Sequence, residues 1–317
     1  VAHRVSVVGE VLVDLLWKAG ASEVVPAPGG SPANVAIGLR RLGRPTTLVT
    51  SWGDDPPGTL VAGHLRRAGV PVRRAPGGGR TMLALAYLDA AGSATYDFLA
   101  AWDPTGLAVP GDTTILHTGS LAIVVEPGAS RVLELCRDLR ARPGRAVVID
   151  LNVRPAVQPD PAAYRDACLR FVEVADVVKA SDEDLRLLYP GLDAAEAARA
   201  LLSYGPRLAV VTLGPGGAFA VTAGAEVRVP APVVAVRDTV GAGDAFQAAL
   251  LDALAARDPA GDGADRLPLP AGPADLARVL TRCVTAAALT CTRVGADPPT
   301  AAELEDALSA GTGSADE

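Results

Sequence analysis

The chain has 317 residues, 49% of them hydrophobic, with a formal net charge of −7 and only 4% aromatic residues. That length can bury a substantial core in one large domain or two small ones. The acidic balance and scarce aromatics exclude a nucleic-acid-binding surface or a stacking platform for single strands. No apolar run reaches the roughly eighteen residues of a membrane span, and Val1-Ala2-His3-Arg4 leads directly into a strand-like run. No signal peptide, no membrane association and no nucleic-acid partner are therefore expected. Cys136, Cys168, Cys283 and Cys291 form no Cys-x-x-Cys pair and have no histidine at zinc spacing. They read as free thiols, which suits a reducing cytoplasm.

In chain order, short apolar strands are predicted at 5–8, 47–50, 114–117, 147–151, 175–179 and 208–213. Helical periodicity appears near 32–42, 57–68, 128–142, 161–172, 193–204, 242–256 and 273–291. This alternation predicts an α/β fold, a mostly parallel sheet with helices on both faces. Two stretches break the rhythm. Residues 81–88 and 95–99 flank the turn-rich Asp89-Ala90-Ala91-Gly92-Ser93 and read as a hairpin, and 10–27 runs strand-like with no helix after it. Strands outside a parallel sheet predict a small lid that keeps water from a reacting group. A single domain over 1–317 is expected, with lid strands from about 10–28 and 81–104. The segment 258–273 reads as a surface loop, and the small, acidic residues 310–317 as a disordered tail.

Residues 238–246 read Asp-Thr-Val-Gly-Ala-Gly-Asp-Ala-Phe. The apolar run 233–236 before them reads as a buried strand, and Phe246, Ala249, Leu250, Ala253 and Leu254 after them recur at helical spacing. Gly241 and Gly243 then lie in a strand-to-helix turn, where backbone amides can approach an anion. Asp244 would repel a phosphate if it served only to bind one. As a base taking a hydroxyl proton while amides hold phosphoryl charge, it makes chemical sense. The alternatives are weaker: a dinucleotide fingerprint has glycine where Phe246 stands, and a P-loop needs a lysine that is absent. A plain turn with Asp244 as a helix-capping carboxylate stays open on spacing alone.

Several separated motifs resemble the ribokinase-like (PfkB-type) carbohydrate kinases, over about residues 5 to 299. Gly29-Gly30-Ser31-Pro32-Ala33-Asn34-Val35-Ala36, ending in Arg41-Leu42-Gly43, is similar to the first signature of that family. Gly53-Asp54-Asp55 with Gly58 follows at the expected interval, and 238–246 resembles the second signature. The resemblance implies a three-layer α/β/α sandwich with a small β-sheet lid. It implies Asp244 as general base and the amides of Gly241, Ala242 and Gly243 as an anion hole. Asp14, Gly29, Gly30, Asn34, Tyr96, Phe98, Asn152 and Arg154 would contact the sugar, although Asn34 also reads as an ordinary helix-start residue. ATP would lie against Lys179, Ser181, Thr212, Gly214 and Gly217, with Gly241 and Gly243. Thr212-Leu213-Gly214-Pro215-Gly216-Gly217 is equally turn chemistry in its own right. Ser181 and Asp184 replace the Asn and Glu of the family pattern; Asp184 would organise Mg²⁺ through water, or the segment is a helix start with favourable acids. Asp238 and Thr239, with Gly295-Ala296, resemble a monovalent-cation loop, which implies K⁺ activation. Val284 stands where relatives carry an asparagine beside the adenine.

Within the family, Asp150-Leu151-Asn152-Val153-Arg154-Pro155 resembles fructokinases and 2-keto-3-deoxygluconate kinases, and 116–122 with Glu126-Pro127 resembles fructokinases. Residues 96–101 contain no arginine for an acid substrate. Phosphorylation of D-fructose to fructose 6-phosphate is the leading expectation, with 2-keto-3-deoxygluconate kinase or ribokinase next. A catalytically silent sugar- or nucleotide-binding relative is the alternative from outside the enzymes. The apolar run 82–88 would expose a strand edge, which predicts a homodimer joined through its lids.

Overall fold

A computed structural model of the protein describes residues 3–77, 79–89, 94–257, 266–270 and 272–313. The chain forms β1 (Arg4–Val8), β2 (Leu12–Lys18), β3 (Val24–Gly29), α1 (Ser31–Arg41), β4 (Thr46–Thr50), α2 (Pro56–Arg67) and β5 (Val72–Arg74). Then come β6 (Met82–Leu88), β7 (Ala94–Leu99), β8 (Thr113–Gly119), a 3₁₀ turn (Ser120–Ile123), α3 (Gly128–Arg140), β9 (Ala146–Asp150) and α4 (Pro161–Val172). β10 (Val177–Ser181), α5 (Asp182–Leu188), α6 (Ala194–Leu202), β11 (Leu208–Thr212), β12 (Ala218–Val221) and β13 (Glu226–Val229) follow. Helices α7 (Ala242–Ala255), α8 (Pro273–Cys291) and α9 (Ala301–Gly313) complete it.

The main sheet runs β13-β12-β11-β10-β9-β8-β1-β4-β5, parallel from β5 to β11 and antiparallel at β12 and β13. Every residue of β4 and β9 is buried, as expected of parallel strands covered on both faces. Adjacent residues divide between the two faces: Ile149 packs with Leu133, Phe171 and Leu201, while Val148 packs with Leu39, Phe246 and Leu250. The result is a three-layer α/β/α sandwich. Among the described residues no helix is long and apolar enough to cross a membrane.

The second sheet, β3-β2-β6-β7, stands apart as the lid. Asp14 pairs with Ala84, Ala84 with Phe98, and Ala86 with Tyr96. Because side chains alternate across a strand, Asp14, Tyr96 and Phe98 share one face. Helix α2 packs beneath β2 and β3.

Two expectations change. Residues 233–236 form no strand, and Val233 and Val236 are exposed. Pro230 and Pro232 lack ladder donors, and the segment is instead tied off where Arg237 N and Asp238 N donate to the Cys291 carbonyl at the end of α8. Residues 310–313 continue α9 rather than starting a disordered tail, while 314–317 lie outside the described residues. Most of the expected loop 258–273 also lies outside them, at 258–265 and 271. Helix α5, beginning on the acids 182–184, completes a segment for which the sequence offered only a helix start.

Candidate active site

A cavity of about 610 Å³ opens at the C-terminal ends of β1, β8, β9 and β10, beneath the lid. Its floor is the meeting of two helix N-termini. Gly241 precedes α7 in a left-handed conformation (φ 77°), and a Cβ there would stand 2.6 Å from Ala296 Cβ. Only glycine satisfies both demands. Asp244 follows in the first turn of α7. Ser31 Oγ donates to its Oδ1 at 2.6 Å and Asn34 Nδ2 donates to its Oδ2 at 2.8 Å. Both donors sit in the first turn of α1, three residues apart and so on one helix face. The positive ends of two helices converge on one carboxylate. Gly241 and Gly243 line the cavity, whereas the Ala242 amide turns away to donate to the Thr239 carbonyl at 3.2 Å.

A buried ion pair flanks this floor. Lys179 Nζ donates to Asp150 Oδ2 at 2.7 Å, and the ammonium lies 3.6 Å from the point where Gly243 would carry a Cβ. A fixed positive charge therefore faces the first turn of α7. Burial pushes the Asp150 carboxyl up, against the pull of Lys179.

The lid side of the cavity carries Asp14, Tyr96 and Phe98, and the loop after β9 carries Asn152 and Arg154. The Tyr96 and Phe98 rings stack with centroids 6.1 Å apart. Asn152 has φ 39°, a left-handed conformation that asparagine tolerates better than most residues. Gly29 lets Asp14 approach, since a Cβ there would stand 2.4 Å from Asp14 Oδ2. Gly30 (φ 108°) packs equally close to the backbone of Glu10 and Val11. Burial raises Asp14 to about 6; the charge of Asp244 adds to that, and Arg154 opposes it. Glu10 lies deeper, fully buried, and is raised to about 7 by burial although it accepts from the Ala122 amide and Ser120.

The residues expected around a nucleotide are less gathered. Thr212 pairs with Ser181 at adjacent strand ends, and Gly214 and Gly217 follow, yet none of the four lines the cavity. Gly217 is obligatory for packing, because a Cβ would meet the Val229 carbonyl at 2.0 Å. Ser181 and Asp184 form a capping box on α5. Asp184 is buried, and both its oxygens accept backbone N–H bonds, Oδ1 from Val153 and Oδ2 from Ser181, each at 2.8 Å. Glu183 beside it lines the cavity instead. Thr239 also lines it, while Asp238 accepts from the amides of Val240 (3.0 Å) and Gly295 (2.7 Å), so it joins two loops. No group of three or more potential metal-ligating side chains occurs among the described residues.

Ser31, Glu10, Ser120 and Asp150 are site residues that sequence reasoning passes over. Ser31 had a signal, its spacing of three from Asn34 at a helix start. Glu10 had a fainter one, a lone acid closing an apolar strand run.

The model of the pfkB family carbohydrate kinases matches residues 2–303. The fructokinase of Klebsiella pneumoniae is 35% identical over 263 residues, covering 80% of this chain and 85% of that protein. The crystal structure of fructokinase with bound ATP from Xylella fastidiosa superposes with a TM-score of 0.84 at 27% identity, covering 98% of this chain and all of that one. A fructokinase double mutant from Vibrio cholerae in fructose-, ADP- and potassium-bound form gives 0.78 at 27% identity, covering 96% and 98%. The chain belongs to the pfkB family of carbohydrate kinases and is a phosphotransferase acting on an alcohol group.

Proposed function

We propose that the protein transfers the γ-phosphate of ATP to a primary hydroxyl of D-fructose, giving fructose 6-phosphate, with Asp244 as general base. The observation that carries this reading is the Asp244 carboxylate, oriented by Ser31 and Asn34 at a helix N-terminus that opens on the cavity. With both donors in place, the carboxylate keeps lone pairs for a substrate hydroxyl. As the sugar oxygen bonds to phosphorus and the β–γ bridge breaks, the hydroxyl proton passes to Asp244 and ADP leaves. General-base catalysis of this kind supplies about 10² to 10⁴-fold. Preorganised charge supplies more: the amides of Gly241 and Gly243 and the ammonium of Lys179 face the developing phosphoryl charge without reorganising. Asp14 accepts sugar hydroxyls, and Tyr96 and Phe98 close over the apolar face of the ring.

The nucleotide extends in this reading along the strand ends toward Ser181, Thr212, Gly214 and Gly217. Glu183, which lines the cavity, would hold a phosphate-bound Mg²⁺ through water, whereas Asp184 is buried and does not line the cavity. When bound, the ion neutralises phosphate charge. The 238–240 and 295–296 loops, joined where Asp238 accepts from the Val240 and Gly295 amides, would be the place for an activating K⁺. A homodimer joined through the lids would cover Trp17, Val25, Tyr87 and Leu99, which are exposed; a single-subunit mass by light scattering at micromolar concentration counts against it. ATP as donor and reduced thiols agree with a cytoplasmic setting.

ADP release with Mg-ATP against fructose, ribose and 2-keto-3-deoxygluconate, with and without K⁺, tests the reading. Preferred turnover of fructose supports it. Arg154 in the cavity gives 2-keto-3-deoxygluconate its standing as second candidate, since a guanidinium pairs with a carboxylate. Preference for that acid replaces the substrate and keeps the mechanism.

A further inference from the structure

The Gly53-Asp54-Asp55 run with Gly58 takes no part in the chemistry, yet it lies where the lid joins the body. Asp55 is the N-cap of α2, and its Oδ1 accepts from the Gly58 amide at 2.8 Å. The same carboxylate grips Thr81, the residue just before β6: Oδ1 accepts from Thr81 Oγ1 at 2.5 Å and Oδ2 from the Thr81 amide at 2.8 Å. The threonine hydroxyl in turn accepts from the Gly53 amide at 3.0 Å. Both glycines are required by crowding. A Cβ on Gly58 would stand 2.1 Å from the Gly53 carbonyl oxygen, and one on Gly53 would stand 2.8 Å from Arg80 Cα. The loop is also fixed to the body, because Arg74 donates to the Trp52 carbonyl and to Asp54, each at 2.7 Å, and lies over the Trp52 ring.

We propose that Asp55 and Thr81 form a clamp that holds the lid in the register and tilt required for sugar binding, acting as positioning residues rather than in the chemistry. The inference rests on the sugar-kinase reading of the cavity. Thr81 is three residues from Ala84, which pairs with Asp14 on one side and Phe98 on the other. Fixing Thr81 therefore fixes the strand that carries both neighbours. A hydroxyl and an amide bonded to one carboxylate make a short, charge-assisted, two-point attachment. The attachment is anchored on the end of the same helix that packs under β2 and β3. Asp55 is held ionised: burial works against it, but the bonds from Thr81 and Gly58 lower its pKa below the usual carboxylate range.

Thr81→Val removes the hydroxyl at nearly constant volume. Asp55→Asn keeps an N-cap residue for α2 but turns an amide donor toward the Thr81 N–H. Each variant is expected to raise the sugar KM about tenfold, with kcat and the ATP KM nearly unchanged, and Thr81→Ser is expected to restore the wild-type values. Hydrogen exchange gives a readout independent of turnover: amides of 82–88 and 94–99 should exchange faster, while those of 46–50 and 113–119 should not. Losses of kcat that track unfolded protein, with the sugar KM unmoved, would overturn the clamp. So would exchange that is unchanged or faster everywhere. Should the wild type phosphorylate no sugar, the kinase reading fails and the exchange pattern alone decides the clamp.

Discussion

Ser31 Oγ stands 2.6 Å from Asp244 Oδ1 although 213 residues separate them. This contact ties the first turn of α1 to the first turn of α7 and sets the direction in which the carboxylate faces the cavity. Ser31→Ala should lower kcat/KM for the sugar by about tenfold or more, the order expected for losing a hydrogen bond to a charged group. Steady-state kinetics of the purified variant check it, and an unchanged kcat/KM would remove Ser31 from the orienting set.

Asp244→Asn tests the base itself. Asparagine is isosteric, and its carbonyl can still accept from Asn34 while its amide donates to the Ser31 hydroxyl, so the floor should keep its shape. We expect kcat to fall by about 10² to 10⁴-fold, with ATP and sugar binding nearly intact by calorimetry. Turnover at the wild-type rate would exclude Asp244 as the base.

Asp14 is raised to about 6 by burial and by Asp244, against the opposing charge of Arg154. A protonated carboxyl loses acceptor sites for sugar hydroxyls. The sugar KM should therefore rise as pH falls below about 6, and Arg154→Gln should move that rise to higher pH. Initial rates across sugar concentrations from pH 5 to 8 give the profile. A KM flat over that range would mean that Asp14 does not bind sugar as a carboxylate.

Glu10 makes a stability prediction of definite sign. Its carboxyl is raised from 4.5 to about 7, chiefly by burial. Between those values the folded protein holds a proton that the unfolded chain has released. Folding free energy from this group is fully present below pH 4.5 and is lost as pH rises through 7, by about 3 kcal/mol at most. Glu10→Gln should flatten the decline in unfolding free energy between pH 5 and 7, measured by urea titration. The same slope in wild type and variant would show that Glu10 does not titrate there.

Periodicity was enough for the sandwich, because most strands of the parallel sheet are short apolar runs and amphipathic helices recur among them; β5, Val-Arg-Arg, is the exception. It failed at 233–236, where Val233, Ala235 and Val236 lie exposed, since a run that short carries no information about its partner strands. At 310–313 small residues give weak local signals, and α9, which packs against α8, runs on through them.

Chemistry followed the same division. The sequence by itself located the glycine-rich turn and its acid at 238–246, and at Gly241 the positive φ and the close approach to Ala296 demand glycine. It determined the Gly-Gly-Ser-Pro-Ala-Asn run as well, but not which of its members touches Asp244. Only the tertiary structure decided that Ser31 and Asn34 share Asp244, that Asp184 serves backbone amides while Glu183 faces the cavity, and that Asp55 holds the lid through Thr81. Spacing along a chain fixes neighbours within one helix or strand. Which carboxylate meets which donor depends on how distant elements pack, and each of these contacts joins elements that no local pattern pairs.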